Sequence, residues 1–214
     1  MRTTQGLILP KVWGLCVALV IIGLDTGPNT GGVVAADGTP SGTKEARPLV
    51  IMETSEGTLK IELWPDKAPA TVANFLHYVD EGFYDGTVFH RVIEDFVIQG
   101  GGLTADLRPK RTRPPIANEA SAAARNLRGT IAMARTSEVH SATSQFFINV
   151  RDNPNLDHRD DTPQGFGYCV FGRVIEGMEV VDRIRRVKTT SLGHYRDVPE
   201  TPIVIRSVRR AASQ

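Results

Sequence analysis

The chain is poor in cysteine, in net charge and in the short motifs of common catalytic sites. Its 214 residues include two cysteines and five histidines, and the formal net charge is +1. There is no G-x-S-x-G elbow, H-E-x-x-H, C-x-x-C or phosphate-binding glycine loop, and the histidines lack metal-ligand spacing. These absences argue against the corresponding hydrolases, zinc enzymes, dithiol enzymes and nucleotide hydrolases, and we expect no metal and no organic cofactor.

The charge distribution gives no sign of a polyanionic partner. Without residues 1–36, acidic and basic residues are equal in number, so we expect neither nucleic acid nor an anionic membrane surface as a partner. The one basic cluster, "RPKRTRPP" at 108–115, contains three prolines and no helical period. That composition is typical of a solvated loop.

Residues 1–36 have the pattern of an export signal. Arg2 and Lys11 precede a 13-residue apolar run at 12–24, and small residues offer a cleavage site after Ala36. The run is too short to cross a bilayer comfortably. We predict a cleaved signal peptide, a flexible linker at 37–48 and a periplasmic or secreted protein. The alternative is an uncleaved anchor facing the periplasm, which would make the N-terminal segment the only membrane contact.

Cys169 would be the only cysteine after cleavage, which excludes an internal disulfide. It lies in the apolar stretch "FGYCVFG", without an adjacent base or cation that would lower the pKa of its thiol. We therefore predict that Cys169 packs in the core and does not act as a nucleophile.

Residues 49–210 are predicted to form one domain. Short β-branched or aromatic runs, punctuated by Gly, Asn and Asp, predict eight strands, the first two joined as a hairpin near Gly57. Helical spacing predicts one helix that ends at Gly82 and a second within 177–187. These elements favour a mainly antiparallel closed barrel or a sandwich with helices over its openings, and the pattern does not choose between the two.

Three polar side chains interrupt apolar runs: Arg91, Gln99 and Gln145. Strict alternation along the strand would place Arg91 on one face with Phe89 and Ile93. From the pattern alone, the simplest interpretation of Arg91 is a stem that packs on this face and a head that reaches water or a carboxylate. A functional site is the alternative.

Several stretches together resemble the cyclophilin family of peptidyl-prolyl cis-trans isomerases. They are "FHRVIEDFVIQGG", "GTIAMARTSEVHSATSQFFINV", "NLD" and "FGYCVFGRVIEGMEVVD", and they occur in the family's order. "PPIANEA", "RGTIAMART" and "SATSQFFINV" are most similar to the periplasmic bacterial members. The resemblance covers essentially all of 49–208.

The resemblance implies an eight-stranded antiparallel barrel capped by two α-helices, with a proline-binding groove on the outside. It implies Arg91 as the catalytic residue, and Gln99, Gln145 and Tyr168 as groove residues. The backbone of Ala134 and Arg135 would contact the substrate chain. The apolar pocket for the proline ring would consist of Phe96, Val97, Met133, Phe147 and Leu156.

Four features depart from the family pattern. Asn155 stands where well-studied eukaryotic members carry tryptophan, and Tyr168 where they carry histidine. Val97 replaces a common methionine, and "LTADLRPKRTRPP" replaces a glycine-rich loop. Loss of the tryptophan implies weak cyclosporin binding, while the arginine is kept.

The function implied is acceleration of X-Pro bond rotation in unfolded or folding exported proteins, by a monomer. Arg91 would stabilise the twisted amide electrostatically, which requires no acid–base pair. The changes at Asn155 and Tyr168 leave an alternative, a chaperone module that binds proline-containing segments with little catalysis.

Overall fold

The computed structural model describes residues 47–212, and eight of its strands close into an antiparallel barrel. Around the barrel the strands follow the order β1-β10-β3-β4-β6-β5-β7-β2, while β8 and β9 form a separate two-stranded sheet. The elements are β1 (Leu49–Thr54), β2 (Gly57–Leu63), α1 (Pro69–Asp80), β3 (Thr87–Val92), β4 (Val97–Thr104), β5 (Thr130–Met133), β6 (Phe146–Asn149), β7 (Val170–Glu176), α2 (Met178–Ile184), β8 (Thr189–Leu192), β9 (Tyr195–Pro199) and β10 (Ile203–Arg210).

The predicted barrel with two helices is confirmed, and the sandwich is excluded by the closed strand order. The predicted signal peptide and all but the last two residues of the predicted linker lie outside the described residues. Those two residues contact β2: Arg47 pairs with Glu62 at 3.1 Å, and the carbonyl of Pro48 accepts from the N–H of Leu63. Across 47–212, no helix combines the length and the apolar character needed to span a bilayer.

Helix α1 starts at Pro69, which suits a first helical position because it has no N–H to leave unpaired. The helix lacks a cap from its own N-terminal residue. Instead the carboxylate of Glu119, from a distant loop, accepts from the N–H groups of Ala70 at 3.1 Å and Thr71 at 2.7 Å. A carboxylate at this position accepts from N–H groups that would otherwise be unpaired, and its negative charge is stabilised by the positive end of the helix dipole. The "PPIANEA" stretch therefore contributes to the fold through Glu119.

The interior of the barrel is filled by side chains. Its core contains a set of aromatic rings in tilted or edge-to-face contact, including Phe75 of α1, Phe146 of β6 and Phe171 of β7. Cys169 belongs to this core and is 3% exposed, so the predicted packing role is confirmed. Burial raises the pKa of its thiol to about 11, which makes the thiolate a minor species at neutral pH.

A β-bulge in β3 corrects the predicted orientation of Arg91. Phe89 pairs with Gly100 and Arg91 pairs with Gln99, so two steps along β3 match one step along β4. The extra residue, His90, breaks the alternation. Phe89 and Val92 both lie in the core, whereas Arg91 lines the outer surface. The expectation that Arg91 shares a face with Phe89 was therefore wrong.

The hairpin of β8 and β9 was not predicted from the sequence. All four residues of β8 are exposed, so the segment has no buried face to produce an alternating pattern. The hairpin contacts the segment that follows β4, where the Tyr195 hydroxyl donates to the carbonyl of Leu107 at 3.4 Å. Among residues 47–212, Leu107 and Asp197 are the only non-glycine residues with positive φ, at 60° and 57°. Both therefore belong to segments that meet at this contact.

We predict that Gly177→Ala destabilises the barrel more than Gly86→Ala. Both glycines have positive φ, 94° and 76°, so alanine carries a left-handed backbone cost of about 1–2 kcal/mol at either position. Only at Gly177 would the new methyl group overlap a backbone atom, the carbonyl oxygen of Thr58, while Gly86 has nothing within 4 Å. We expect a further loss of ~1–3 kcal/mol at Gly177, measured by urea unfolding. Equal losses would contradict the steric argument.

Candidate active site

Strand register aligns a row of outward-facing residues across five strands of the barrel. Arg91 pairs with Gln99, Gln99 with Phe147, Phe147 with Ala132 and Ala132 with Val170. The row begins with a charge, passes through an amide and ends in apolar side chains. The barrel thus places an arginine beside an apolar surface on a rigid support.

The apolar end of the row belongs to a second hydrophobic cluster, separate from the core. It contains a set of groove residues that we call the apolar socket: Phe96, Val97, Phe147, Leu156 and Tyr168. Val97, Phe147 and Leu156 are buried, while Phe96 and Tyr168 are half-buried at its edge. The rings of Phe147 and Tyr168 meet edge to face, with centroids 5.6 Å apart. Apolar walls of this kind suit the ring of a proline.

Met133 does not belong to the socket. It is 2% exposed and lies in the barrel core with Ile131, whereas Ala132 and Ala134 of the same segment join the outer cluster. The reason is strand alternation, which sends residues two apart to the same face. The expectation that Met133 lines the proline pocket was therefore wrong.

Three polar side chains form a chain of contacts at the charged end of the row. The Arg91 Nη1 group donates to Gln99 Oε1 at 3.5 Å, and Gln99 Nε2 donates to Gln145 Oε1 at 3.0 Å. On the other side, Arg91 Nε lies 3.7 Å from Asp197 Oδ2 of β9. These contacts hold the guanidinium from two sides. The side chain of Arg91 remains 39% exposed, so it is accessible to a substrate.

Ala134 and Arg135 lie between the charged and apolar ends. The Ala134 N–H donates to the carbonyl of Gln145 at 2.9 Å. Arg135 spreads its guanidinium over the ring of Tyr168, at 4.9 Å from the centroid. It also donates to the backbone carbonyls of Gly167 at 3.0 Å and Pro163 at 3.1 Å. Arg135 therefore fixes the loop that carries one wall of the socket, a role beyond the backbone contact expected from the sequence.

Three buried asparagines support the socket from behind, and sequence reasoning missed them. Asn153 donates to the carbonyl of Phe96 at 2.9 Å, and Asn126 donates to the carbonyl of Leu156 at 3.0 Å. Asn149 joins the two, because it donates to Asn126 at 3.2 Å and accepts from Asn153 at 2.8 Å. Each is at most 1% exposed. Their position inside apolar or turn-like segments was the only available signal.

Three depressions that share lining residues form a continuous groove across this surface. The first, about 570 Å³, lies beside Leu156 and Tyr168, and the second, about 140 Å³, lies between Gln99 and Arg135. The third, about 470 Å³, has Arg91 and the β8–β9 hairpin in its lining. Arg135 lines the first two, and Gln99 and Gln145 line the last two. A chain bound in the groove would therefore pass Tyr168, the region between Gln99 and Arg135, and Arg91.

His90 is the strongly perturbed titrating group of the groove. It is 6% exposed, and burial lowers the pKa of its imidazole to about 4, with a smaller contribution from the positive charge of Arg91. The ring is therefore neutral at physiological pH. Within 47–212, no cluster of three or more His, Cys, Asp or Glu side chains could hold a metal ion.

Comparison with known proteins assigns the family. Residues 49–210 match the family model described as cyclophilin type peptidyl-prolyl cis-trans isomerase/CLD. The chain belongs to the cyclophilin family. This cyclophilin is 55% identical over 160 residues to peptidyl-prolyl cis-trans isomerase A of Dickeya dadantii, and the alignment covers 75% of this chain and 83% of the relative. It is 51% identical over 160 residues to peptidyl-prolyl cis-trans isomerase B of Escherichia coli, covering 75% and 98%.

A solved structure gives the same result. A Cryptosporidium parvum cyclophilin type peptidyl-prolyl cis-trans isomerase, crystallised in the presence of the dipeptide Ala-Pro, aligns with a TM-score of 0.63 at 26% identity. The alignment covers 77% of this chain and 99% of that one. The expected family and fold are confirmed, and this cyclophilin is a peptidyl-prolyl cis-trans isomerase of bacterial type.

We predict that His90 makes the stability of this cyclophilin depend on pH between about 4 and 6.5. The pKa is about 4 in the folded chain against an ordinary value of 6.5. Between these values the unfolded chain binds a proton that the folded chain does not, so stability falls as the pH drops through this window. The loss attributable to His90 should be of order 2–3 kcal/mol.

The measurement compares urea unfolding of the wild type and His90→Gln from pH 4.5 to pH 8. The variant cannot titrate at this position and should show a smaller slope below pH 6.5, while the two curves run parallel above pH 7. Identical slopes across the whole range would show that His90 is not buried as a neutral ring.

Proposed function

We propose that Arg91 accelerates X-Pro rotation by stabilising the twisted amide electrostatically, without proton transfer. The observation that carries this proposal is the position of Arg91, a half-exposed permanent cation in the same row of outward-facing residues as the apolar socket. Its fork of donors is held by Gln99 and Asp197, so it is oriented before a substrate arrives. Because the imidazole of the neighbouring His90 is neutral at physiological pH, the positive charge at this position comes from Arg91.

The reaction needs this kind of help because the planar amide is stabilised by resonance. Rotation meets a barrier of about 18–20 kcal/mol, and at the twisted geometry the prolyl nitrogen regains a localised lone pair. A guanidinium can donate to the carbonyl of proline and approach that nitrogen. Such contacts accelerate rotation only if they are stronger at the twisted geometry than at either planar isomer.

The apolar socket holds the ring while the preceding carbonyl moves. Val97, Phe147 and Leu156 form its buried part, and Phe96 and Tyr168 form its edge. Gln99 and Gln145 supply amides beside it, and the backbone at Ala134 and Arg135 runs along the groove between the socket and Arg91. With the proline side of the X-Pro bond held in this way, the rotating amide is kept in a defined orientation relative to Arg91.

We further propose that the protein acts on proline-containing segments of exported proteins, as a monomer in the periplasm or outside the cell. The support is the signal-like composition of residues 1–36. Slow X-Pro isomerisation can limit the folding of newly exported chains.

We predict that Arg91→Ala lowers kcat/KM on a short X-Pro peptide by about 10²–10³-fold, because one charged donor to the transition state is lost. Arg91→Lys should recover only part of the rate, since a lysine keeps the charge and loses the planar fork. Arg206→Ala is the matched control, because Arg206 is an exposed arginine on the neighbouring strand β10 and lines no part of the groove. Wild-type turnover in Arg91→Ala would refute the assignment.

The same peptide distinguishes catalysis from passive binding. Exchange cross-peaks between cis and trans signals of the bound peptide, measured by NMR, should show fast interconversion on the wild type and slow interconversion on Arg91→Ala. A wild type that binds the peptide without accelerating exchange would favour the chaperone alternative.

Export is tested independently of activity. We predict that the protein recovered from the periplasm or medium of a bacterial host begins at Asp37, because cleavage is expected after Ala36. Intact mass measurement gives the N-terminus. Protein in the membrane fraction that retains Met1 would establish the anchored form, and protein confined to the cytoplasm would refute export.

A further inference from the structure

The third depression of the groove, which we call the hairpin cavity, is not needed to hold the proline ring. It has a volume of about 470 Å³ and lies between the β8–β9 hairpin and the segment that follows β4. Arg91, Gln99 and Gln145 line it on the side of the proposed catalytic centre. His194, Tyr195 and Arg196 line it on the hairpin side. A substrate chain bound at Arg91 would therefore extend into this cavity or past it.

The hairpin cavity carries an excess of positive charge. The charge of Arg91 is partly balanced by Asp197 at 3.7 Å, and that of neighbouring Arg108 by Asp106 at 2.9 Å. For Arg196, no carboxylate of the described residues lies within ion-pair distance. Its Nη1 group instead donates to the Ser191 hydroxyl at 3.1 Å, which leaves the charge uncompensated.

The walls of the cavity are built from constrained backbone. Leu107 and Asp197, which alone among the non-glycine residues of 47–212 have positive φ, lie in the two segments that face each other here. The hydroxyl of Tyr195 joins these segments through the carbonyl of Leu107 at 3.4 Å. A left-handed leucine is costly, and such strain persists where the surrounding structure imposes it, often at binding sites.

We propose that the hairpin cavity is a subsite for an anionic side chain of the substrate, placed within three residues of the proline and bound by Arg196. A carboxylate of aspartate or glutamate fits this chemistry, and so does the phosphate of a phosphorylated residue. The proposal rests on the isomerase function of the groove and adds a preference to it. Asp197, the carboxylate next to Arg196 in the chain, pairs with Arg91 and not with Arg196. The guanidinium of Arg196 is therefore available to a substrate anion.

The test uses mature protein and X-Pro peptides that carry one glutamate, scanned from three residues before to three residues after the proline. An all-neutral peptide is the reference, and exchange NMR supplies kcat/KM for each. We expect glutamate to raise kcat/KM about two- to fivefold over the reference at one or two positions, which is the range of a partly exposed ion pair. The gain should shrink at high ionic strength.

Variants assign the gain to Arg196. Arg196→Ala should reduce the ratio of acidic to neutral kcat/KM to about one, and Arg196→Glu should reverse the preference toward a lysine peptide. Arg206→Ala removes an equal charge outside the cavity and should keep the wild-type ratio. A phosphoserine peptide, compared with glutamate at the same position, shows which anion the subsite prefers.

Failure of the two proposals is distinguishable. A wild type that does not turn over the neutral peptide would refute the function proposed for the groove. Turnover of the neutral peptide with no gain at any glutamate position would overturn the subsite alone. A gain that persists in Arg196→Ala would also overturn it, because another group would then be responsible.

Discussion

The filled interior of the barrel is the constraint on which the rest of the structure depends. A closed sheet with no room inside leaves only its outer surface for binding. Successive residues of one strand therefore alternate between packing in the core and lining the binding surface. In β6 the two successive phenylalanines do this: Phe146 lies in the core and Phe147 in the apolar socket. Because both are fixed by the same short strand, the socket inherits the rigidity of the core. A groove built in this way needs little adjustment when a substrate binds.

Rigidity at the surface also requires that polar backbone groups behind the socket be satisfied. Two of the buried asparagines, Asn126 and Asn153, meet this need with neutral amides that donate to the carbonyls of Leu156 and Phe96, and Asn149 links the two. An unpaired carbonyl at this depth would cost about 1–3 kcal/mol. At the other end of the row the β3 bulge has the opposite effect, since it removes a residue from the ladder and releases Arg91 from the core face. The apolar end of the row is therefore supported by hydrogen-bonded asparagines, while the Arg91 end depends on a β-bulge.

The sequence pattern predicted the eight barrel strands and the two helices, the resemblance to a family supplied the residues expected in the groove, and the reasons for the errors are physical. Alternation looks alike in barrels and sandwiches, so only the resemblance to a family chose between them. The face of Arg91 was predicted wrongly because a single-residue bulge leaves no mark on residue type in "TVFHRVI". The error at Met133 was avoidable, because period-two reasoning along Ile131, Ala132 and Met133 places the methionine inside. The β8–β9 hairpin and its Asp197 were missed because an exposed strand has no hydrophobic pattern.

The attachment of the 157–167 loop by Arg135 has a consequence for how such a groove can change over evolution. The loop carries one wall of the socket, yet it is held by a side chain that binds its backbone carbonyls and not by pairing with the barrel. These backbone carbonyls are present whatever the loop sequence, so substitutions between the two ends of the loop leave the contacts of Arg135 intact. At its start the loop depends on one of its own side chains, because the carboxylate of Asp157 accepts from the N–H of Asn126 at 2.6 Å. The shape of the groove near Tyr168 can therefore change by substitution in the loop while the barrel core keeps its packing, because Tyr168 packs on the outer cluster and not on the core.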